Sequence, residues 1–102
     1  DALDDRALGA ALAYAVDVKN AVVVAPAGNA GSGCPRQPAT VTRDNVAVVV
    51  SPAWYDDYVL TVGSVNNRGA PSTFSLAGPW VDVAATGEGV TSLSPISDGL
   101  VN

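Results

Sequence analysis

Asn29 is the residue of this chain best placed to do chemistry. It sits in the stretch "VVVAPAGNAG", Val22 to Gly31, where a run of small and β-branched apolar residues meets an asparagine preceded by glycine. In parallel α/β sheets, ligands bind beyond the carboxyl ends of the strands, and Asn29 lies just past such an end. Its side-chain amide carries donors without a charge. Gly28 removes the side chain that would obstruct a substrate's close approach. An asparagine here can equally close an Asx turn, and the local residues leave both readings open.

The other candidates are weaker. The chain has no histidine and one cysteine, Cys34. No imidazole is present for general-base work, and neither a Ser-His nor a Cys-His pair can form. A zinc site would have to combine Cys34 with carboxylates alone, which is a poor ligand set. "GNAGSG", Gly28 to Gly33, is glycine-rich and follows a strand, so phosphate binding must be weighed. A dinucleotide loop opens a helix, whereas Cys34, Pro35 and Pro38 follow here and no helical pattern begins. Ser51 and Ser64 lie near strand ends without a G-x-S-x-G elbow, and read as structural. Asp56 and Asp57 are adjacent loop carboxylates and read as solvated or capping. Trp54, Tyr55 and Tyr58 read as covering a core edge.

Positioning Asn29 requires a sheet. From Asp4 to Lys19, Leu8, Leu12, Ala15 and Val16 recur at helical spacing, with Ala7 and Ala11 beside them. Asp4 and Asp5 fall near the positive end of the helix dipole, Lys19 near the negative end, and Asn20 suits a left-handed exit. The alanine content implies close packing on a flat neighbour. Ala21 to Ala25 follows as a strand without alternation, which predicts burial on both faces. Gly28 to Asn45 is a long irregular loop. "VAVVV", Val46 to Val50, predicts a short extended piece ended by Pro52. "VLTVGSVN", Val59 to Asn66, is a second strand, and "NRG", Asn67 to Gly69, a turn. "WVDVAA", Trp80 to Ala85, is a third strand with Asp82 on the face opposite its neighbours; "GVTSLSP", Gly89 to Pro95, is a weaker extended segment. The fold class is α/β, with a partly parallel sheet flanked by helices. It reads as incomplete, because one helix cannot cover both faces.

Composition sets the outer bounds. The chain has 102 residues, 48% hydrophobic and 15% charged, with a net charge of −5. That is a modest globular domain or a piece of a larger one. Five Lys and Arg in all argue against nucleic acid or an anionic membrane as partner. No apolar run reaches the roughly 20 residues of a membrane-spanning helix, and the first residues do not resemble a signal peptide. The opening "DALDDR" reads as cut from something longer. A single cysteine builds no internal disulfide framework; Cys34 is either a buried apolar residue or the partner of a cysteine elsewhere.

Several motifs together carry a family resemblance. "VVVAPAGNAG" resembles the segment of subtilisin-like serine proteases that ends in the oxyanion-hole asparagine. "YDDYVLTVGSVN" and then "GAPSTFSLAGPWVDVAATGEGVTSL" are similar to the subtilase succession of a V-G-(A/S)-V strand, an F-S-x-x-G-P segment and a D-V-x-A-x-G strand end. "ALGAALAYAVDVKNAVVVAPAGN", "SPAWYDDYVLTVGSVN", "GPWVDVAATGEGVTSLSP" and the closing "DGLVN" narrow the resemblance to the mycosins, the subtilases of mycobacterial type VII secretion systems. It covers nearly the whole chain apart from Ala30 to about Asn45.

The resemblance implies that residues 1–102 are the central part of one subtilase catalytic domain. The chain lies between the histidine and the serine of the Asp/His/Ser triad, so no residue here belongs to that triad. Asn29 matches the oxyanion asparagine. Pro26, Ala27 and Gly28 match one wall of the pocket for the residue before the scissile bond. The implied function is that of a serine endopeptidase segment, inactive alone; the alternative is a structural, non-catalytic component of the secretion complex. No cofactor or metal is implied. The implied partners are the remainder of the protease domain, a peptide or protein substrate and the type VII secretion membrane complex. The implied location is extracytoplasmic, anchored to a membrane by a segment outside this chain, and Cys34 is expected to pair with a cysteine outside it. Two positions depart from the common pattern. Pro26 stands where subtilases commonly have alanine, which removes a backbone donor and stiffens the pocket wall. Thr86 replaces the usual proline in Ala85-Thr86-Gly87.

Overall fold

The computed structural model describes residues 4–31, 34–96 and 99–101. Its centre is a parallel sheet in the order β1-β2-β3, with β1 at Val23–Pro26, β2 at Val59–Val65 and β3 at Val83–Thr86. Val23 is level with Val59, and Val62 with Val83. All three strands therefore run the same way, and their carboxyl ends lie together. The valine runs that build them are β-branched and suit a pleated surface.

The sheet differs from expectation in its second face. Ala25, Val59 and Thr61 are buried on one side, but Val22 is 83% exposed, Val24 58% and Leu60 42% on the other. The unbroken valine run predicts two buried faces, and only one is covered among the described residues. The covering element is α1, Arg6–Ala13, which continues as a wider π turn over Tyr14–Val18. Leu12 from α1 packs with Ala25 and Val59, bordered by Val23, Tyr55 and Tyr58. The tyrosines thus cover a core edge, as their spacing suggests. Gly9 lets the Tyr55 ring lie against the helix, since a Cβ there would come within 2.8 Å of Tyr55 Cε1. Asn20 takes the left-handed exit, with φ at +55°.

Three polar side chains, Asp5, Asp82 and Gln37, tie these elements together. Asp5, at the start of α1, makes no capping bond to the helix. Its carboxylate instead accepts from the Ser51 hydroxyl at 2.5 Å, the Tyr55 hydroxyl at 2.5 Å and the Trp54 indole at 3.2 Å. The helix is thereby tied to the turn ahead of β2. Asp82 accepts the Thr61 N–H at 2.8 Å, and its own N–H donates to the Thr61 carbonyl at 3.0 Å. This is why β3 begins at Val83 and not at Trp80: the carboxylate occupies the place where a strand backbone would pair. Gln37, only 5% exposed, accepts from the N–H groups of Ala47 and Val48 at 2.9 Å each and donates to the Ala77 carbonyl at 2.7 Å.

The long loop therefore has a fixed centre. The stretch Val46 to Val50 forms no strand, and its Ala47 and Val48 N–H groups donate to the Gln37 carboxamide oxygen. Beyond β3 a small antiparallel pair joins β4, Ser92–Leu93, to β5, Leu100–Val101. The sequence reading anticipates an extended piece at the first of these and nothing at the second. Asp56 forms an ion pair with Arg43. Among the described residues, no helix is long and apolar enough to cross a membrane, and no cluster of ligating side chains could hold a metal ion.

Two outcomes follow from these tethers. Gln37→Ala removes a buried carboxamide, leaves its part-buried backbone partners unpaired and should cost about 1–3 kcal/mol. Gln37→Glu should be no milder, because a carboxylate cannot donate to Ala77. Denaturant midpoints of the intact protein check both. The second outcome concerns pH. The Ser51 and Tyr55 hydroxyls hold the Asp5 carboxyl below its ordinary 3.8, while the Asp5 bond, with burial, pushes Tyr55 up to about 12 from 10.0. A depressed carboxyl stabilises the fold above its unfolded value and loses that contribution as pH falls through the folded one. A raised phenol stabilises below its unfolded value and loses it as pH climbs. Stability from this network is therefore expected to be flat between the two limits, to fall below about pH 4, and to fall again from pH 10 toward 12. Thermal melts across pH should show that Tyr55→Phe abolishes the alkaline decline; a decline that persists in the variant refutes the coupling.

Candidate functional site

Where β1 ends, the chain turns sharply off the sheet. The Ala27 N–H donates to the Val62 carbonyl at 2.9 Å, which is the last rung shared by the first two strands. Gly28 then adopts φ of +92°, in the left-handed region. A Cβ on Gly28 would stand 3.1 Å from Val50 Cγ1 and 3.3 Å from Leu76 Cδ1. Glycine is needed here for the turn itself and for contact with the protein's own core.

The turn delivers Asn29 to an antiparallel pairing with Ser75. The residues on either side make the bonds: Ala30 N–H to the Phe74 carbonyl at 2.7 Å, and Leu76 N–H to the Gly28 carbonyl at 2.9 Å. The backbone of Asn29 is thus held from both flanks. Its side chain is exposed and forms no hydrogen bond among the described residues. No Asx turn occupies the amide.

Asn29 lines an open cleft of about 510 Å³ at the carboxyl ends of the three strands. Its neighbours there include Val24, Pro26, Ser64, Phe74 and Thr86. Pro26 is exposed on this cleft. Its missing N–H points to the free edge of β1, the place where proline is tolerated in a sheet. Ala27 is buried at 2% and Gly28 half-buried, so both stand behind the lining. The structure brings Pro26 and Asn29 to one cleft and places Ala27 and Gly28 as its support.

The remaining candidates separate from the cleft. Cys34 is half-buried and free, and it pairs with Gly31 through two backbone bonds of 2.8 and 3.0 Å. Gly33, at the end of the glycine-rich stretch, lies outside the described residues, as do Asp98 and Asn102 of the closing motif. No helix starts in this loop among the described residues, so the geometry of a dinucleotide site is not formed. Ser51 serves the Asp5 network. Ser64 joins a chain in which its hydroxyl meets the Ser72 hydroxyl at 2.7 Å and Ser72 donates to Glu88 at 2.7 Å. Sequence reading missed Ser72, Ser75 and Glu88; the motif that contains the two serines is visible, but their pairing is set by the fold.

No protein-family model matches the chain. It is 77% identical over 101 residues to Mycosin-4 of Mycobacterium tuberculosis, across 97% of this chain and 22% of that protein. It is 52% identical over 99 residues to Mycosin-1 of Mycolicibacterium smegmatis, across 89% of this chain and 22% of the relative. The chain thus spans about a fifth of the length of these curated relatives. Among solved structures, MycP1 with its N-terminal propeptide removed superposes over 100% of this chain and 34% of its own, with a TM-score of 0.89 at 47% identity. The MycP3 protease of the type VII (ESX-3) secretion system gives 0.86 at 40% identity, over 99% of this chain and 30% of its own. A chain of the intact ESX-5 inner membrane complex gives 0.89 at 46% identity, over 100% of this chain and 25% of its own.

Gly28→Ala tests the turn that carries the amide. The variant pays for a left-handed backbone and for crowding against Val50 and Leu76, an expected loss of about 1–3 kcal/mol. Gly69→Ala is the control. Gly69 also has positive φ, at +81°, but nothing lies within 4 Å of its Cβ position. Thermal unfolding of the intact protein should therefore show the larger loss at Gly28.

Proposed function

From the premise that this chain belongs to the mycosin family, we propose that it is the central part of a subtilisin-like catalytic domain and supplies its oxyanion donor. Proteins of this kind include a serine protease described as an essential component of the type VII (ESX-1) secretion system. The observation that carries the reading is the free amide of Asn29, exposed on a cleft and held from both sides by backbone bonds.

The chemistry follows from that placement. Attack of a serine on a peptide carbonyl moves negative charge onto the oxygen. A neutral donor fixed in advance where that charge develops stabilises the transition state more than the ground state. Asn29 is such a donor, and its backbone does not have to be reorganised when charge arrives. Pro26 forms part of the adjoining wall for the side chain before the scissile bond, with Ala27 and Gly28 supporting it. The nucleophile and base are supplied from outside these residues, since the chain has no histidine. Alone, the segment is inactive. The remainder of the protease domain is its first partner, and a peptide or protein its substrate. The domain works on the extracytoplasmic side, held at the membrane by a segment outside this chain.

A second reading is favoured by one specific observation. Related chains of 45–46% identity sit in the ESX-5 inner membrane complex and in its periplasmic assembly. On that reading the fold supports the assembly whether or not it cleaves anything. One variant separates the two. Loss of such a donor in a subtilisin lowers turnover by ~10²–10³, and Asn29→Ala in the intact protein is expected to lower kcat on that scale with little change in KM. Among the described residues the Asn29 side chain makes no hydrogen bond that holds the fold, so assembly into the membrane complex should be unaffected. An unchanged kcat overturns the catalytic reading. Secretion that continues with kcat abolished identifies the structural role.

A further inference from the structure

We propose that Ser75 is a positioning residue that fixes the Asn29 amide to the sheet; this rests on the oxyanion reading of Asn29. Pro26 is level with Val62, and the Ala27 N–H reaches the Val62 carbonyl. In an evenly spaced parallel ladder, the next rung would run from the Ser64 N–H to the carbonyl of Ala27. That rung is not made, because the chain leaves the sheet at Gly28. The Ser64 N–H donates to the Ser75 hydroxyl instead, at 3.0 Å. The Ser64 carbonyl accepts the Ser72 N–H at 2.9 Å. The turn from Ser72 to Ser75, closed by Ser75 N–H to the Ser72 carbonyl at 3.1 Å, therefore stands where β1 would have continued.

The same residue faces the other way as well. Asn29 is opposite Ser75, and the bonds that hold Asn29 come from Phe74 and Leu76, one on each side of Ser75. One turn thus grips β2 through the Ser75 hydroxyl and grips the Asn29 segment through its backbone. Removing the hydroxyl leaves the Ser64 N–H without its acceptor. It also loosens the Ser75 end of the turn against β2, while the Ser72 end stays bonded to the Ser64 carbonyl, and Asn29, held by the residues flanking Ser75, shifts with the loosened end. A donor displaced by a fraction of an ångström loses transition-state stabilisation while leaving substrate binding largely intact. The hydroxyl chain from Ser64 through Ser72 to Glu88 braces the far end of the same turn.

The test uses the intact protease and a chromogenic peptide ester. Ser75→Ala is expected to lower kcat about tenfold, less than the ~10²–10³ set for loss of the donor itself, with KM changed by less than about twofold. Ser75→Thr, which keeps the acceptor oxygen, should restore most of the rate. The decisive arm is the double variant. If Ser75 acts through Asn29, Ser75→Ala has no further effect on kcat in the Asn29→Ala background. Multiplying effects, or an unchanged kcat in Ser75→Ala, overturn the proposal while leaving the oxyanion reading standing. A normal kcat in Asn29→Ala overturns both. Should Ser75→Ala not fold, Ser75→Cys replaces it: a lowered kcat at constant KM that vanishes in the Asn29→Ala background supports the proposal, and a wild-type kcat overturns it.

Discussion

The structure depends on one interruption. β1 and β2 are hydrogen-bonded up to the Ala27 N–H and the Val62 carbonyl, and then no further. Had the ladder run on, Asn29 would lie within the sheet plane with its backbone consumed by pairing. Because Gly28 turns the chain out, Asn29 ends above the strand ends with its amide free. A buried N–H or carbonyl without a partner costs about 1–3 kcal/mol, so each rung given up must be replaced by some other group.

Polar side chains make these replacements throughout the molecule. Asp82 meets Thr61 where β3 has not yet begun, Ser75 meets Ser64 where β1 has already left, and Gln37 meets Ala47, Val48 and Ala77 where no strand forms. Each replaces a regular ladder by a single side chain of fixed length. A ladder can slip in register, but a carboxamide bonded to the backbone of three separate residues cannot. The short strands, seven residues at most in β2, are therefore sufficient to place the cleft.

Much of this was legible in the residues. The valine runs announce β1 and β2 because β-branched side chains favour a pleated surface, and Leu8 with Leu12 announces the helix. Asn29 was legible from its place after a strand together with Gly28. The role of Gln37 was not, because a glutamine in a loop carries no local signal; its four backbone bonds span from Ala47 to Ala77 and exist only after folding. Ser75 was hidden for the same reason, standing eleven positions from Ser64. The start of β3 was misjudged because Trp80 to Ala85 alternates like a strand, while the Asp82 carboxylate takes the place of the first rung. The uninterrupted valines read as suited to burial on both faces, and among the described residues α1 covers one of them, in keeping with a fold that reads as incomplete because one helix cannot cover both.

The wet face of the sheet has a consequence for how sharply the cleft is defined. Val22, Val24, Leu60 and Val83 stand between 42% and 83% in solvent, opposite the side that α1 covers. Close-packed interiors resist compression and pass strain across themselves, and a layer lacking its counterpart resists only from one direction. The stiffness with which the Asn29 segment is held thus depends in part on what covers those valines. Residues that never approach the amide would still set its amplitude of motion.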